Sequence, residues 1–184
     1  MSPQTAEIDL QPLTTSSPIG GFSSGDADLD EFLRDDALRL QERLVTRVYL
    51  ATRADAGEPL GYMAVLADLV ELKSGEKRQL GLSGGPGDSR FIPAVKVGRL
   101  AVSADHQGQG VGQLLMGLAV DLALSLSHRV GCRLVTVDAY EQSVGFYEHL
   151  RFNRRKVQPA SQQTVGMWFD IAGELPEWMQ QRDR

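Results

Sequence analysis

One cysteine, Cys132, stands in a chain of 184 residues, so no internal disulfide can form. It opens a predicted strand, where a small buried thiol is the simpler reading, because a nucleophile needs an activating base beside it. The three histidines, His106, His128 and His149, are scattered without the spacing of metal ligands, and no metal site is expected. No stretch approaches the roughly 18 continuous apolar residues of a membrane span, and Met1 to Glu7 lacks the basic and apolar regions of a signal peptide. A cytoplasmic protein without membrane contact is expected. Positive charge is not in excess either: the net charge is −5, which would repel nucleic acid if spread evenly, although binding follows local patches.

What is present is enough apolar material, 42% of the chain, for one well-filled core. One domain over residues 1–172 and a tail over 173–184 are expected. A weak alternation at Ile8, Leu10 and Leu13 marks a first strand. Leu29, Phe32, Leu33, Ala37, Leu40 and Leu44 then follow helical spacing, with Asp26, Asp28, Asp30 and Glu31 crowding the start, where the helix dipole favours anions. Residues 45–52 and 60–66 read as a hairpin around the turn-forming Ala54 to Pro59. Residues 73–90, with six glycine or proline positions from Gly75 to Gly87 and little periodicity, read as a loop of the kind that shapes a pocket. Strands at 92–102, 132–138, 152–157 and 164–171 alternate with helices at 111–128 and 141–150, an order that suits a mixed sheet flanked by helices. In the tail, Trp178 could pack back on the body, while residues 180–184 fray.

The run Gln107-Gly108-Gln109-Gly110-Val111-Gly112 lies between the strand ending near Val102 and the second helix. A glycine-rich turn can simply start a helix. It can also let backbone approach a ligand, and the first N–H groups of the helix, lacking intrahelical partners, can donate to phosphate oxygens. The helix carries Val111, Leu114, Leu115, Leu118, Ala119, Leu122 and Leu126 on one stripe, which would hold its amino terminus still. The dinucleotide fingerprint fits poorly, because Gln113 occupies the place of its third glycine.

Gln107, Gly110 and Gly112 meet the pattern Q/R-x-x-G-x-G/A, which resembles the acetyl-coenzyme A signature of the GNAT N-acetyltransferases. Val97 to Val102 before the turn, the strand Leu134 to Asp138, and Ser143-Val144-Gly145-Phe146-Tyr147-Glu148-His149-Leu150-Arg151-Phe152 fall in that family's order, so the resemblance covers roughly residues 93–157 with specific motifs. It implies the GNAT α/β fold and a single domain with a central mixed sheet flanked by helices. Acetyl-CoA is the implied acyl donor. The backbone of Leu100, Ala101 and Val102 would pair with the pantetheine arm, and amides of Gln107, Gly108, Gln109, Gly110, Val111 and Gly112 would hold the pyrophosphate. Tyr147 matches the family's proton donor to the coenzyme sulfur. Its chemistry fits, since a phenol of pKa about 10 is protonated at neutral pH. The plainer reading has Tyr147 capping a core beside Phe146 and Phe152.

No base is fixed by the sequence. Asp68 and Glu71 near the end of the third strand are the candidates, and both read as solvated. Direct attack needs no protein base if the acceptor is an α-amino group, whose pKa of about 7.7–8.0 leaves a neutral fraction that lysine, at about 10.4, lacks. A small molecule, a peptide or aminoacyl-tRNA could supply the amine. The segment Phe22 to Leu33 and the strand Ile92 to Val102 are similar to the toxin acetyltransferases that modify aminoacyl-tRNA, a subgroup paired with a small DNA-binding antitoxin. Against this stand the acidic balance and the lack of dense basic residues between Gly81 and Gly87. Arg34, Arg39, Arg43 and Arg47, and the run Arg151, Arg154, Arg155 and Lys156, could meet phosphate, or could be solvated and balanced by Asp35, Asp36 and Glu42. A non-catalytic acyl-CoA-binding regulatory module remains the reading from another class, and a homodimer is left open.

Overall fold

The computed structural model describes residues 8–53, 57–85, 88–159, 163–174 and 176–180. The expectations about the Trp178 side chain, the Ala54 to Ala56 part of the hairpin turn and the last four residues lie outside the described residues. Seven strands form one sheet: β1 (Ile8–Pro12), β2 (Arg47–Arg53), β3 (Gly61–Glu71), β4 (Phe91–Val102), β5 (Leu134–Tyr140), β6 (Asn153–Arg154) and β7 (Thr164–Asp170). Their order is β1-β2-β3-β4-β5-β7-β6. The β1–β2, β2–β3, β5–β7 and β6–β7 pairs are antiparallel and β4–β5 is parallel, so the sheet is mixed as expected. Helices α1 (Ala27–Glu31), α2 (Ala37–Glu42), α3 (Ser74–Gln79), α4 (Val111–Ser127), α5 (Val144–His149) and α6 (Glu177–Gln180) flank or follow it. Among the described residues no helix is long and apolar enough to cross a membrane.

The chain divides into two compact units, residues 1–66 with 98–116 and residues 67–97 with 117–184. In the first, Phe32, Leu33 and Ala37 pack on Val48, Leu50, Tyr62, Ala64 and Ala101. Asp26 caps α1, its carboxylate accepting from the Asp28 and Leu29 amides at 3.0 and 3.4 Å, which is why the acidic cluster sits at this helix start. The single helix expected from residue 26 to 44 is interrupted. Phe32 to Asp36 form a π turn, with the Ala37 amide reaching back to the Phe32 carbonyl. The extra residue advances the apolar stripe. Leu44, expected on that stripe, instead ends α2 in the left-handed region at φ +61° and is 92% exposed.

In the second unit, Val70, Leu72, Leu80, Ile92, Ala94, Leu134 and Trp168 make the core. The stretch after residue 73, expected to be structureless, begins with α3. The Glu76 carboxylate is buried and accepts from the Lys73 amide at 2.9 Å, the Lys156 amide at 3.1 Å and the Trp168 indole at 3.2 Å. Three donors from three segments satisfy it and pin the helix. A second correction concerns α4. Its buried residues are Val111, Leu115, Met116, Ala119, Val120 and Ala123, whereas Leu114, Leu118 and Leu122 are half-buried and Leu126 is exposed. The helix is apolar nearly all round, so periodicity could not say which face is covered.

Candidate active site

Gly108 and Gly110 both have positive φ, +73° and +87°, and a Cβ on either would meet open space. Backbone conformation, rather than crowding, is what requires glycine there. The Gln107 side chain holds the turn: its amide donates to the Ser24 carbonyl at 2.9 Å and the Val102 carbonyl at 3.3 Å. Gln109 donates to the Asp105 carbonyl at 3.0 Å. Both side chains are thereby used in shaping the loop, which leaves main chain as the available donor. The first helical hydrogen bond of α4 is Leu114 N–H to the Gly110 carbonyl, 3.0 Å, so the amides of Val111, Gly112 and Gln113 precede it. These N–H groups lie at the positive end of a 17-residue helix.

Leu100, Ala101 and Val102 complete β4 on the same unit. The ladder between β4 and β5 runs from Ala94 opposite Leu134 to Val97 opposite Val137. Past Val97, β4 continues to Val102, and among the described residues that edge has no ladder partner on β5.

Tyr147 lies in the other unit, on α5, and is 7% exposed. Phe146 and Phe152 meet its ring edge-on at 5.0 and 5.6 Å. The helix ends in a Schellman motif: Phe152 N–H donates to the Tyr147 carbonyl at 3.0 Å and Arg151 N–H to the Glu148 carbonyl at 2.9 Å, with Arg151 at φ +66°. Tyr147 is therefore fixed through both ring and carbonyl. Among the described residues its hydroxyl has no hydrogen-bond partner, and burial pushes the phenol above its ordinary pKa. Tyr62 offers the contrast. It too is buried, stacked at 6.1 Å on Phe32, but its hydroxyl is spent on the Leu29 carbonyl at 2.8 Å.

The two carboxylates considered as bases are occupied. Asp68 is half-buried and accepts from the Thr136 hydroxyl at 2.8 Å, and Glu71 meets Arg90 at 3.3 Å on the surface. Cys132 is half-buried, and desolvation raises its thiol pKa, away from nucleophile chemistry. The two basic runs also resolve differently. Arg34 and Arg39 pair with Asp35 and Asp36 at 3.3 and 2.5 Å on the surface, and Arg154 pairs with Glu148 at 2.8 Å. Arg155 turns inward towards Asp138, close to Lys96. Sequence reasoning missed this last group; its only signal was a charge of opposite sign, Lys96 and Asp138, on each of two largely apolar strands.

Comparison with known proteins gives these features a family. The profile described as "Acetyltransferase (GNAT) domain" matches residues 46–154. A tRNA-acetylating toxin of Mycobacterium tuberculosis (strain ATCC 25618 / H37Rv) is 26% identical over 148 residues, 80% of this chain and 85% of that protein. Among solved structures, AtaT complexed with acetyl-methionyl-tRNAfMet is similar at a TM-score of 0.76 and 25% identity, covering 90% of this chain and 96% of that one. AtaTR bound with AcCoA is similar at 0.71 and 26%, covering 90% and 94%. With a family profile matched over more than half its length, the chain belongs to the GNAT acetyltransferase family.

Proposed function

We propose that the protein transfers an acetyl group from acetyl-CoA to the α-amino group of aminoacyl-tRNA, with Tyr147 as the general acid. The observation that carries this is Tyr147 itself: buried, clamped by Phe152 and the Schellman motif, and holding a phenol with no hydrogen-bond acceptor among the described residues. Amides of Gln107 to Gly112 hold the pyrophosphate, and the open edge of Leu100, Ala101 and Val102 pairs with the pantetheine amides. The neutral amine attacks the thioester carbonyl. A C–N bond forms as the C–S bond breaks, the sulfur takes the phenolic proton, and the surplus proton on nitrogen leaves to water, which in turn restores the phenol. The aminoacyl acceptor is supported by the relatives at 25 and 26% identity, and by the low pKa of an α-amino group, which attacks without a protein base. In this reading an antitoxin is the protein partner.

The test is acetylation of purified aminoacyl-tRNA from acetyl-CoA, followed by mass spectrometry, beside calorimetric binding of coenzyme A. Tyr147→Phe is expected to retain coenzyme binding and lose roughly 100-fold or more in rate, the usual contribution of a positioned acid. Expression of the wild type is expected to arrest growth, and the variant to relieve it. Coenzyme binding without transfer to any amine would identify a non-catalytic module instead.

A further inference from the structure

Two arginine–aspartate pairs flank β7 in the unit of residues 67–97 and 117–184, and they differ in kind. Arg133 and Asp170 are closed: Nε and Nη2 donate to the two carboxylate oxygens at 2.6 and 3.0 Å, and Nη2 also reaches the Leu80 carbonyl at 3.0 Å. Arg155 and Asp138 are open. Nη1 stands 3.9 Å from Asp138 Oδ1, beyond hydrogen-bond reach, and both that oxygen and Arg155 Nε are buried without a partner among the described residues. Buried, unpaired donors and acceptors are rare because they forfeit hydration, so a pair of them side by side calls for a cause.

The sheet dictates where this group stands. Lys96 lies opposite Thr136, Asp138 follows two residues on and so shares its face, and Gly166 lies opposite Asp138. The Arg155 stem crosses Gly166, where a Cβ would come 3.0 Å from its Cδ. Lys96 Nζ pairs with the other Asp138 oxygen. Side-chain exposures of 26% for Lys96, 25% for Asp138 and 14% for Arg155 leave the cluster half-open to solvent. Asp138 is also the first β5 residue past the end of the parallel ladder at Val137, and carboxyl ends of parallel strands are where open α/β sheets bind ligands. Three residues separate the end of β5 from the start of α5, which carries Tyr147.

We infer that Asp138 and Arg155, with Lys96 beside them, make the enzyme select amines that carry an α-carbonyl, the carboxylate accepting from the amine and the guanidinium donating to the carbonyl oxygen. An α-aminoacyl group presents a donor and an acceptor on adjacent carbons, the complement of this acceptor–donor pair. A free phosphate would suit Arg155 but face the carboxylate of Asp138, and a plain alkylamine would leave Arg155 unanswered. The inference rests on the acetyl-transfer reading above.

The test compares kcat/KM for methioninamide and for 3-(methylthio)propylamine, which lacks only the carboxamide, at one pH and with acetyl-CoA. Each variant is scored against wild type within one substrate, so the amines' different ionisation cancels. Arg155→Met is expected to lower methioninamide acetylation about 10- to 100-fold, the effect of losing one charge-assisted hydrogen bond, and to change the alkylamine less than about threefold, whereas Asp138→Asn, which meets the amine common to both, is expected to lower both. Gly166→Val keeps every charge but displaces Arg155, and the same selective loss is expected from it. A thermal melt identifies any variant that fails to fold, and Gly166→Val and Arg155→Lys then decide in its place, the lysine keeping charge without the fork. Equal losses on both amines from the Arg155 and Gly166 variants, or no loss on methioninamide from any variant, would overturn the inference and leave the acetyltransferase standing. Absence of wild-type transfer to either amine and to aminoacyl-tRNA would overturn both.

Discussion

Replacing Leu44 with glycine is expected to stabilise the protein, although Leu44 is a large apolar residue. Leu44 closes α2 as the left-handed residue of a Schellman motif: its N–H meets the Gln41 carbonyl at 3.0 Å, and the Val45 N–H meets the Leu40 carbonyl at 3.0 Å. At φ +61° a side chain with a Cβ costs roughly 1–2 kcal/mol relative to the right-handed region, and glycine escapes that cost. Being 92% exposed, the leucine buries almost nothing in return. Glycine gives back about 0.5–1 kcal/mol through the freedom it adds to the unfolded chain, which leaves a net gain of about 0.5–1 kcal/mol. In a chain of this length about 1 kcal/mol shifts Tm by roughly 2–4 °C, so thermal and urea melts can both register the change. Leu44→Ala is the control, because it removes the exposed apolar group and keeps the Cβ. A Leu44→Gly protein melting no higher than wild type, or an alanine variant gaining as much as glycine, would refute the reasoning.

Two further outcomes follow from the titrating groups. Because burial raises the Tyr147 phenol, it stays protonated beyond its ordinary pKa of about 10, so kcat/KM for an α-aminoacyl amide should rise through the amine's pKa of about 7.7–8.0 and then stay level to about pH 10; a decline between pH 8 and 9.5 would contradict the assignment. Asp30 is raised by partial burial, but hydrogen bonds from the Ser24 side chain and amide and the Ser23 side chain outweigh this and hold it below the ordinary carboxylate value, helped by Arg34. Its folded pKa lies under its unfolded one, so its contribution is present above about pH 3.9 and is lost as pH falls through the folded value. Asp30→Asn should therefore lower Tm at pH 7, with the gap closing below about pH 4; a gap independent of pH would show that the serine contacts act without the charge.

The glycine turn at Gln107 to Gly112, the strand before it and the helix bearing Tyr147 were legible because each is a local pattern: a cluster of glycines, alternation over β4, and a short helix closed by Leu150 and Phe152. Family membership followed from those same segments. Periodicity also gave most strands, yet it placed Leu44 on a buried stripe and Leu114, Leu118, Leu122 and Leu126 on the covered face of α4, where Met116, Val120 and Ala123 are buried instead. In the first case a π turn shifts the phase by one residue; in the second, apolar side chains all round the helix erase the phase.

The amino-acid order by itself settled which strands alternate and where a helix begins on a glycine turn, since these depend on neighbours within a few positions. Only the tertiary structure decided that Tyr62 spends its hydroxyl on Leu29 while Tyr147 keeps its own, that Glu76 is a buried keystone, and that Lys96, Asp138 and Arg155 meet although 59 residues separate the first from the last. Hydrogen-bond satisfaction and burial are properties of groups brought together by strand register and packing, and no local stretch of chain carries that information.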